Sequence, residues 1–244
     1  MFPLRTLAGH VMARRRTHSA PPGSRPEPDT LPSEGPAFFD TRRVEAFSDG
    51  VFAIAITLLV LDLKLPALPA APTNADLLQA LIRLEPTALS YLVSFLVIGS
   101  FWVSHHRLFE AVRHVSPRML WLNLVLLLCV SFLPFPTTVL GQYGDLAVAE
   151  DLYAISLAAA GVCFTSLIWY ADRAGLINPD VLVLPVRMYL LRAMGVPVVA
   201  VLVIIVAIGA PGDAAYIWLL TAVLNITLGR IGRRPSPGGT AEPG

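Results

Sequence analysis

The sequence predicts an all-α fold: a polytopic membrane protein with six transmembrane helices. Three observations carry that prediction. Of the 244 residues, 55% are hydrophobic and 14% charged, against roughly 45–50% and 25% in an average soluble domain. The mean hydropathy is +0.65, so there are too few charges to cover a water-facing surface. The apolar residues also fall into six separate runs, each near the ~20 residues a helix needs to cross a bilayer core. Continuous hydrophobicity at such lengths leaves helices as the spanning solution, because each segment must satisfy its own backbone groups. The lipid bilayer is therefore the expected surroundings. The net charge of +1 excludes a strongly basic nucleic-acid binder, and no nucleic-acid partner is expected.

Residues 1–38 differ from the rest. They hold seven prolines from Pro3 to Pro36, the triplet Arg14-Arg15-Arg16 and no clustered apolar residues. This is the composition of a disordered tail. No apolar run follows the arginines, so a secretory leader is not expected. The transmembrane domain is expected over 39–230. Its runs cover 44–65, 87–104, 119–140, 152–171, 188–210 and 214–229. Pro134, Pro136 and Pro197 interrupt the third and fifth runs and should kink those helices or end them early. Residues 231–244 are rich in Pro and Gly and read as a second disordered tail. Cys129 and Cys163 lie inside apolar runs and read as small buried hydrophobes, not as a disulfide or a metal site.

The charges orient the bundle. With the N-terminus in the cytoplasm and six spans, only Lys64 and Arg83 of the 18 Lys and Arg residues fall outside. That asymmetry predicts a multi-pass protein of the cell membrane with both termini cytoplasmic. The outer loops hold Asp62, Asp76, Glu85, Asp145, Glu150, Asp151 and Asp213, and a negative outer face concentrates cations.

The first run carries most of the chemistry. Ser48 and Asp49 sit near its start, where a carboxylate is costly unless paired, so they are functional candidates. The plainer reading is that they cap or anchor the helix end, favoured by its dipole. At about 100° per residue, Phe47, Ile54, Leu58 and Leu61 fall within roughly 40° of one line, with Asp49 about 140° and Ser48 about 120° from it on opposite sides. The aliphatic stripe alone does not say whether it faces lipid, protein or a pore. Trp102, His105 and His106 end the second run and Asn123 begins the third, level with Ser48 and Asp49. They are expected partners of that pair in a structural polar network. His105 and His106 are neighbours that point apart on a helix and are read as having no Cys or carboxylate partner at ligand spacing, so no metal site is expected. Nucleotide-binding, hydrolase and zinc-protease motifs are absent, as is the T-V-G-Y-G potassium filter.

The run Arg43-x-x-x-Phe47-Ser48-Asp49, followed by Ala53-Ile54-x-x-Thr57-Leu58-Leu59-x-Leu61, closely resembles the helix 1 signature of the bacterial transmembrane protein 175 family. Trp102…His105-His106-Arg107-Leu108-Phe109 and Leu133-Pro134-Phe135-Pro136-Thr137 are also similar to that family, and the likeness covers about 42–230. The resemblance implies a channel that prefers potassium to sodium, with permeant K+ and no cofactor, assembled as a homotetramer with helix 1 of each subunit lining the pore. By motif position it implies a hydrophobic gate of Ile54, Leu58 and Leu61, with Thr57 as a polar ring beside them. It also assigns Arg43, Phe47, Ser48 and Asp49, with Trp102, His105, His106 and Asn123, to the network that orients helix 1. An apolar neck gates by dewetting, and potassium gives up its hydration more readily than sodium. Two other readings stand beside this one. They are a proton channel or secondary cation transporter using Asp49 and His106, and a structural membrane protein or enzyme partner without flux of its own.

Overall fold

The computed structural model describes residues 39–182, 185–207 and 217. The segments are α1 (Thr41–Leu58), continued by a 3-10 turn over Leu59–Asp62, α2 (Asn74–Arg83), α3 (Glu85–Ala111), α4 (Pro117–Phe132), α5 (Pro134–Tyr143), α6 (Ala147–Arg173) and α7 (Val186–Ala207). Five stretches are long and apolar enough to cross a membrane: Thr41–Asp62, Glu85–Ala111, Pro117–Tyr143, Ala147–Arg173 and Val186–Val206. They coincide with the first five predicted runs. The sixth run, 214–229, lies outside the described residues apart from Ile217, which is helical. The two predicted tails lie outside them as well.

Local chemistry sets the ends of these helices. Asp40 caps α1 by accepting from the Arg42 backbone N–H at 3.0 Å. Ser116 caps α4 by accepting from Met119 N–H, with Pro117 in the first turn, where its missing donor costs nothing. α4 stops at Phe132 and α5 restarts at Pro134. The third span is therefore broken where the prolines predicted a break. The fifth span instead runs through Pro197 as far as Ala207, so that proline does not end it. Opposite it stands Gly161 of α6. A Cβ built there would lie 2.7 Å from the Pro197 ring, so the glycine is what lets the two helices approach. α6 ends at Arg173, and just past its cap Gly175, with a φ of 66°, takes a left-handed conformation that glycine adopts without penalty.

α2 lies outside the run-length argument because it is short and amphipathic. Its start is a capping box: Thr73 accepts from Asp76 N–H, and the Asp76 carboxylate accepts from Thr73 in return. The Thr73 hydroxyl and backbone bonds hold the Asp76 carboxyl below its usual range.

α1 packs on α3 and α4, α3 also on α5, and α6 on α4, α5 and α7. At the end where α1 begins, backbone bridges join Phe39 to Val115 and Val112 to Ile177. Arg113 N–H donates to Leu176 O at 3.0 Å and Asn178 N–H to Ala111 O at 2.8 Å. The entry to α1, the α3–α4 turn and the exit of α6 are thereby tied together. In the middle of the bundle the buried hydroxyls are paired: Ser94 Oγ lies 2.9 Å from Tyr153 Oη and 2.8 Å from Thr137 Oγ1. Cys129 and Cys163 are free and half-buried, with their sulfurs 3.9 Å apart.

Candidate functional site: the first helix and its anchors

α1 has two faces. Val44, Ser48, Phe52, Ala55 and Leu59 are buried against the rest of the bundle, with Phe52 at 1% and Leu59 at 0% exposure. Their spacing of three or four residues makes one continuous strip. The other face carries Phe47, Ile54, Leu58 and Leu61, all exposed, Ile54 at 60% and Leu61 at 61%. Thr57 is exposed as well, and its hydroxyl is 2.9 Å from Ala53 O and 3.0 Å from Ile54 O. With its proton engaged on the helix backbone, it turns only oxygen lone pairs outward. Ile56, on the opposite side from Ile54, is half-buried and packs against the core.

The polar residues of α1 fall into two clusters. In the first, Ser48 Oγ–H donates to Val44 O at 2.8 Å, leaving its oxygen to accept from Asn123 Nδ2 at 2.9 Å. Asn123 Oδ1 stands 2.8 Å from His105 Nε2. Since that amide oxygen only accepts, His105 carries its proton on Nε2, and the chain of bonds runs one way from α3 through α4 into α1. Ser48, His105 and Asn123 are each fully buried. The His105 ring stacks on Phe109 at 4.3 Å and tilts against Phe52 at 5.4 Å. These paired groups fix one helix register, while the other ring nitrogen, His105 Nδ1, is buried with no hydrogen-bond partner among the described residues.

The second cluster is half-exposed. Trp102 Nε1–H donates to Asp49 Oδ1 at 2.9 Å, and the Trp102 ring stacks on His106 at 5.9 Å. His106 Nδ1 is 2.8 Å from Glu45 Oε1, and Nε2 is 3.4 Å from Glu110 Oε1. Ser48 and Asp49 thus join different groups, as do His105 and His106, because adjacent residues on a helix point about 100° apart. The single network expected from sequence is divided between a buried half on α4 and a half-exposed one on α3. Arg43 and Phe47 are exposed and join neither half.

Three contributors escaped the sequence reading. Glu45 and Glu110 lie four residues before Asp49 and four after His106, a helical spacing that could have flagged them. α1 brings two carboxylates, Glu45 and Asp49, across to the same imidazole. The third is Asp62, whose carboxylate accepts from Thr138 Oγ1 at 2.5 Å. It holds the far end of α1 to α5, and no sequence spacing announces that pair.

The region from α1 to α4 is similar to known proteins. The family described as endosomal/lysosomal potassium channel TMEM175 matches residues 43–134. A potassium channel of Streptomyces collinus is 44% identical over 147 residues, which are 58% of this chain and 70% of that protein. The crystal structure of a lysosomal potassium-selective channel TMEM175 homolog from Chamaesiphon minutus superposes with a TM-score of 0.62 at 30% identity, covering 80% of this chain and 98% of that one. The endosomal/lysosomal proton channel TMEM175 of Gallus gallus is 34% identical over 134 residues, 53% of this chain and 26% of that much longer protein.

Proposed function

The chain belongs to the TMEM175 family, a family of ion channels and not of enzymes, and from that premise we propose that it is a potassium-selective cation channel whose pore is lined by α1 of four identical subunits. It is a multi-pass membrane protein. We place it in the cell membrane with both termini cytoplasmic, on the Lys/Arg asymmetry of its loops. Ile54, Leu58 and Leu61 form the narrow apolar neck, and the Thr57 oxygens form a polar ring next to it. The two polar clusters and the Asp62–Thr138 bond hold α1 at its ends.

One observation carries this reading. The face of α1 that its own subunit leaves uncovered is the aliphatic stripe of the helix 1 signature, and it contains Thr57. Other spans also expose large apolar residues, such as Trp121, Leu128 and Ile155, as lipid-facing helices do. The α1 stripe is set apart by its match to the helix 1 signature, residue by residue.

A proton conductance is the second reading, favoured by the half-exposed imidazole of His106 among carboxylates and by relatives named proton channels. The deciding experiment is cation flux and current in proteoliposomes of the purified protein under potassium, sodium and proton gradients. A channel gives unitary currents that reverse near the potassium equilibrium potential. Reversal at the proton potential favours the second reading. Saturable flux without unitary currents replaces the channel by a transporter.

A further inference from the structure

We propose that Cys129 and Cys163 form a reversible disulfide that clamps α4 to α6, with a lipid-soluble quinone as its oxidant. They are the two cysteines of the chain. They stand 34 residues apart in sequence and on different helices, yet their sulfurs meet at 3.9 Å. Packing alone asks for a small apolar side chain at each position, and not for a thiol at both. A disulfide needs about 2.05 Å between its sulfurs, so roughly 1.9 Å must be closed. That is less than the roughly 3 Å a sulfur moves between neighbouring staggered rotamers. Both thiols are free, and α4 and α6 already pack on each other.

The place of the pair decides which oxidant can reach it. From the end where α4 begins and α6 stops, each cysteine lies roughly ten to twelve residues into its span, or about 15–18 Å. That is half of a hydrocarbon core about 30 Å thick. Cys129 follows the exposed Leu128 and Cys163 follows the exposed Val162, and both cysteines are half-buried. The pair therefore sits at the lipid edge of the α4–α6 seam. Charged oxidants from water, such as oxidised glutathione, are costly to bring to that depth. A quinone dissolves there.

The chemistry balances with a quinone alone. One thiol adds to the quinone ring, and its proton passes to a quinone oxygen. The second sulfur then attacks the first. The S–S bond forms, the bond from sulfur to ring breaks, and its electron pair stays on the ring. The second thiol proton completes the hydroquinone. The two thiols lose two electrons and two protons, and the quinone gains them. Reduction takes a neutral dithiol, which exchanges twice through a mixed disulfide and leaves as a cyclic disulfide.

The clamp bears on α1. α4 carries Asn123, whose Nδ2 donates to Ser48 of α1 at 2.9 Å. Gly161, two residues before Cys163 on α6, is where the Pro197 ring of α7 makes its close approach. A bridge between the cysteines thus ties the seat of α1 to the α6–α7 pair. Its effect on flux rests on the channel reading, but its formation does not.

The test uses the full-length protein in proteoliposomes, oxidised with decylubiquinone and read by intact mass and non-reducing peptide mapping. We expect the loss of two hydrogens, a peptide pair joined through Cys129 and Cys163 of one subunit, and full reversal by dithiothreitol. Oxidised glutathione at equal concentration should act at least tenfold more slowly. Potassium flux should fall at least twofold on oxidation of the wild type, and stay unchanged in Cys129→Ala and Cys163→Ala. Thiols that persist under excess quinone, a disulfide between subunits or a stable quinone adduct each overturn the proposal. Faster oxidation by glutathione disulfide overturns the lipid route. A disulfide that forms in a conducting wild type and leaves its flux unchanged overturns the clamp. Disulfide formation in a wild type that passes no cation keeps the bridge and rejects the channel.

Discussion

The two faces of the first span arise from one run, α1 and the 3-10 turn that continues it, yet they answer to different demands. The inner face is specified by its own subunit: Phe52 and Leu59 fill the core, and Ser48 is locked into a one-way chain of hydrogen bonds to Asn123 and His105. Among the described residues nothing covers the outer face, where Ile54, Leu58 and Leu61 stand exposed on a helix that is otherwise firmly held. In water, such a stripe would mark a protein interface or an aggregation site. In a membrane it marks lipid or a symmetric neighbour. A helix fixed on one face can present the other at a set angle, and a four-fold neck needs that.

The largest expected effect breaks the outer face. Ile54→Asn puts four amides at the neck and keeps it wet, and Ile54→Ala widens it. Both should raise conductance several-fold and move the reversal potential under a potassium/sodium gradient toward that of an unselective pore. Ile56→Ala, on the packed side, should disturb stability more than selectivity. Unchanged selectivity in both Ile54 variants, with normal expression and assembly, rejects the apolar neck.

The inner face is expected to fail differently. Asn123→Leu leaves the His105 Nε2–H without an acceptor and the Ser48 oxygen without a donor, at roughly 1–3 kcal/mol for each stranded group. Thermal unfolding and the yield of assembled protein should fall, with selectivity unchanged in whatever still assembles. Asp49→Ala should cost less. Trp102 is 38% exposed, and its indole N–H can turn to water. Equal losses in the two variants would mean that the buried and half-exposed clusters act as one unit, contrary to their separation in the fold.

How much of this could be read from the chain depends on the kind of interaction. The spans were legible because hydrophobic length is a property of one segment, and the break before Pro134 because proline acts on its own helix. The stripe itself was legible because helical phase is local arithmetic, but what it faces was not, since lipid, protein and pore are alike to an aliphatic row. The division of the polar residues was not. It depends on which neighbour each side chain meets, so Ser48 and Asp49, adjacent in sequence, part company across the α3–α4 seam. Glu45 and Glu110 drew no reading from the sequence, because only the fold sets His106 between them. The span over 214–229 and the two tails lie outside the described residues, so the fold leaves those expectations where the sequence put them.

The smallest expected effect separates the two ends of α1. Its start is held by two clusters, its far end by the Asp62–Thr138 bond. Asp62 also adds one carboxylate per subunit beside Leu61, in the loop assigned to the outer face. Asp62→Asn keeps an oxygen to accept from Thr138 and removes only the charge. Charge acts over a Debye length, about 30 Å at ~0.01 M salt and about 3 Å at ~1 M. Unitary conductance of Asp62→Asn should therefore be modestly below wild type in dilute potassium and equal to it in concentrated potassium, with selectivity unchanged. Asp62→Ala also removes the acceptor. A deficit that persists in concentrated salt for Asp62→Ala alone assigns the anchor to the hydrogen bond and the dilute-salt deficit to the field. If Asp62→Asn shows no deficit even in dilute potassium, the carboxylate lies away from the ion path, and the far end of α1 is a mechanical anchor alone.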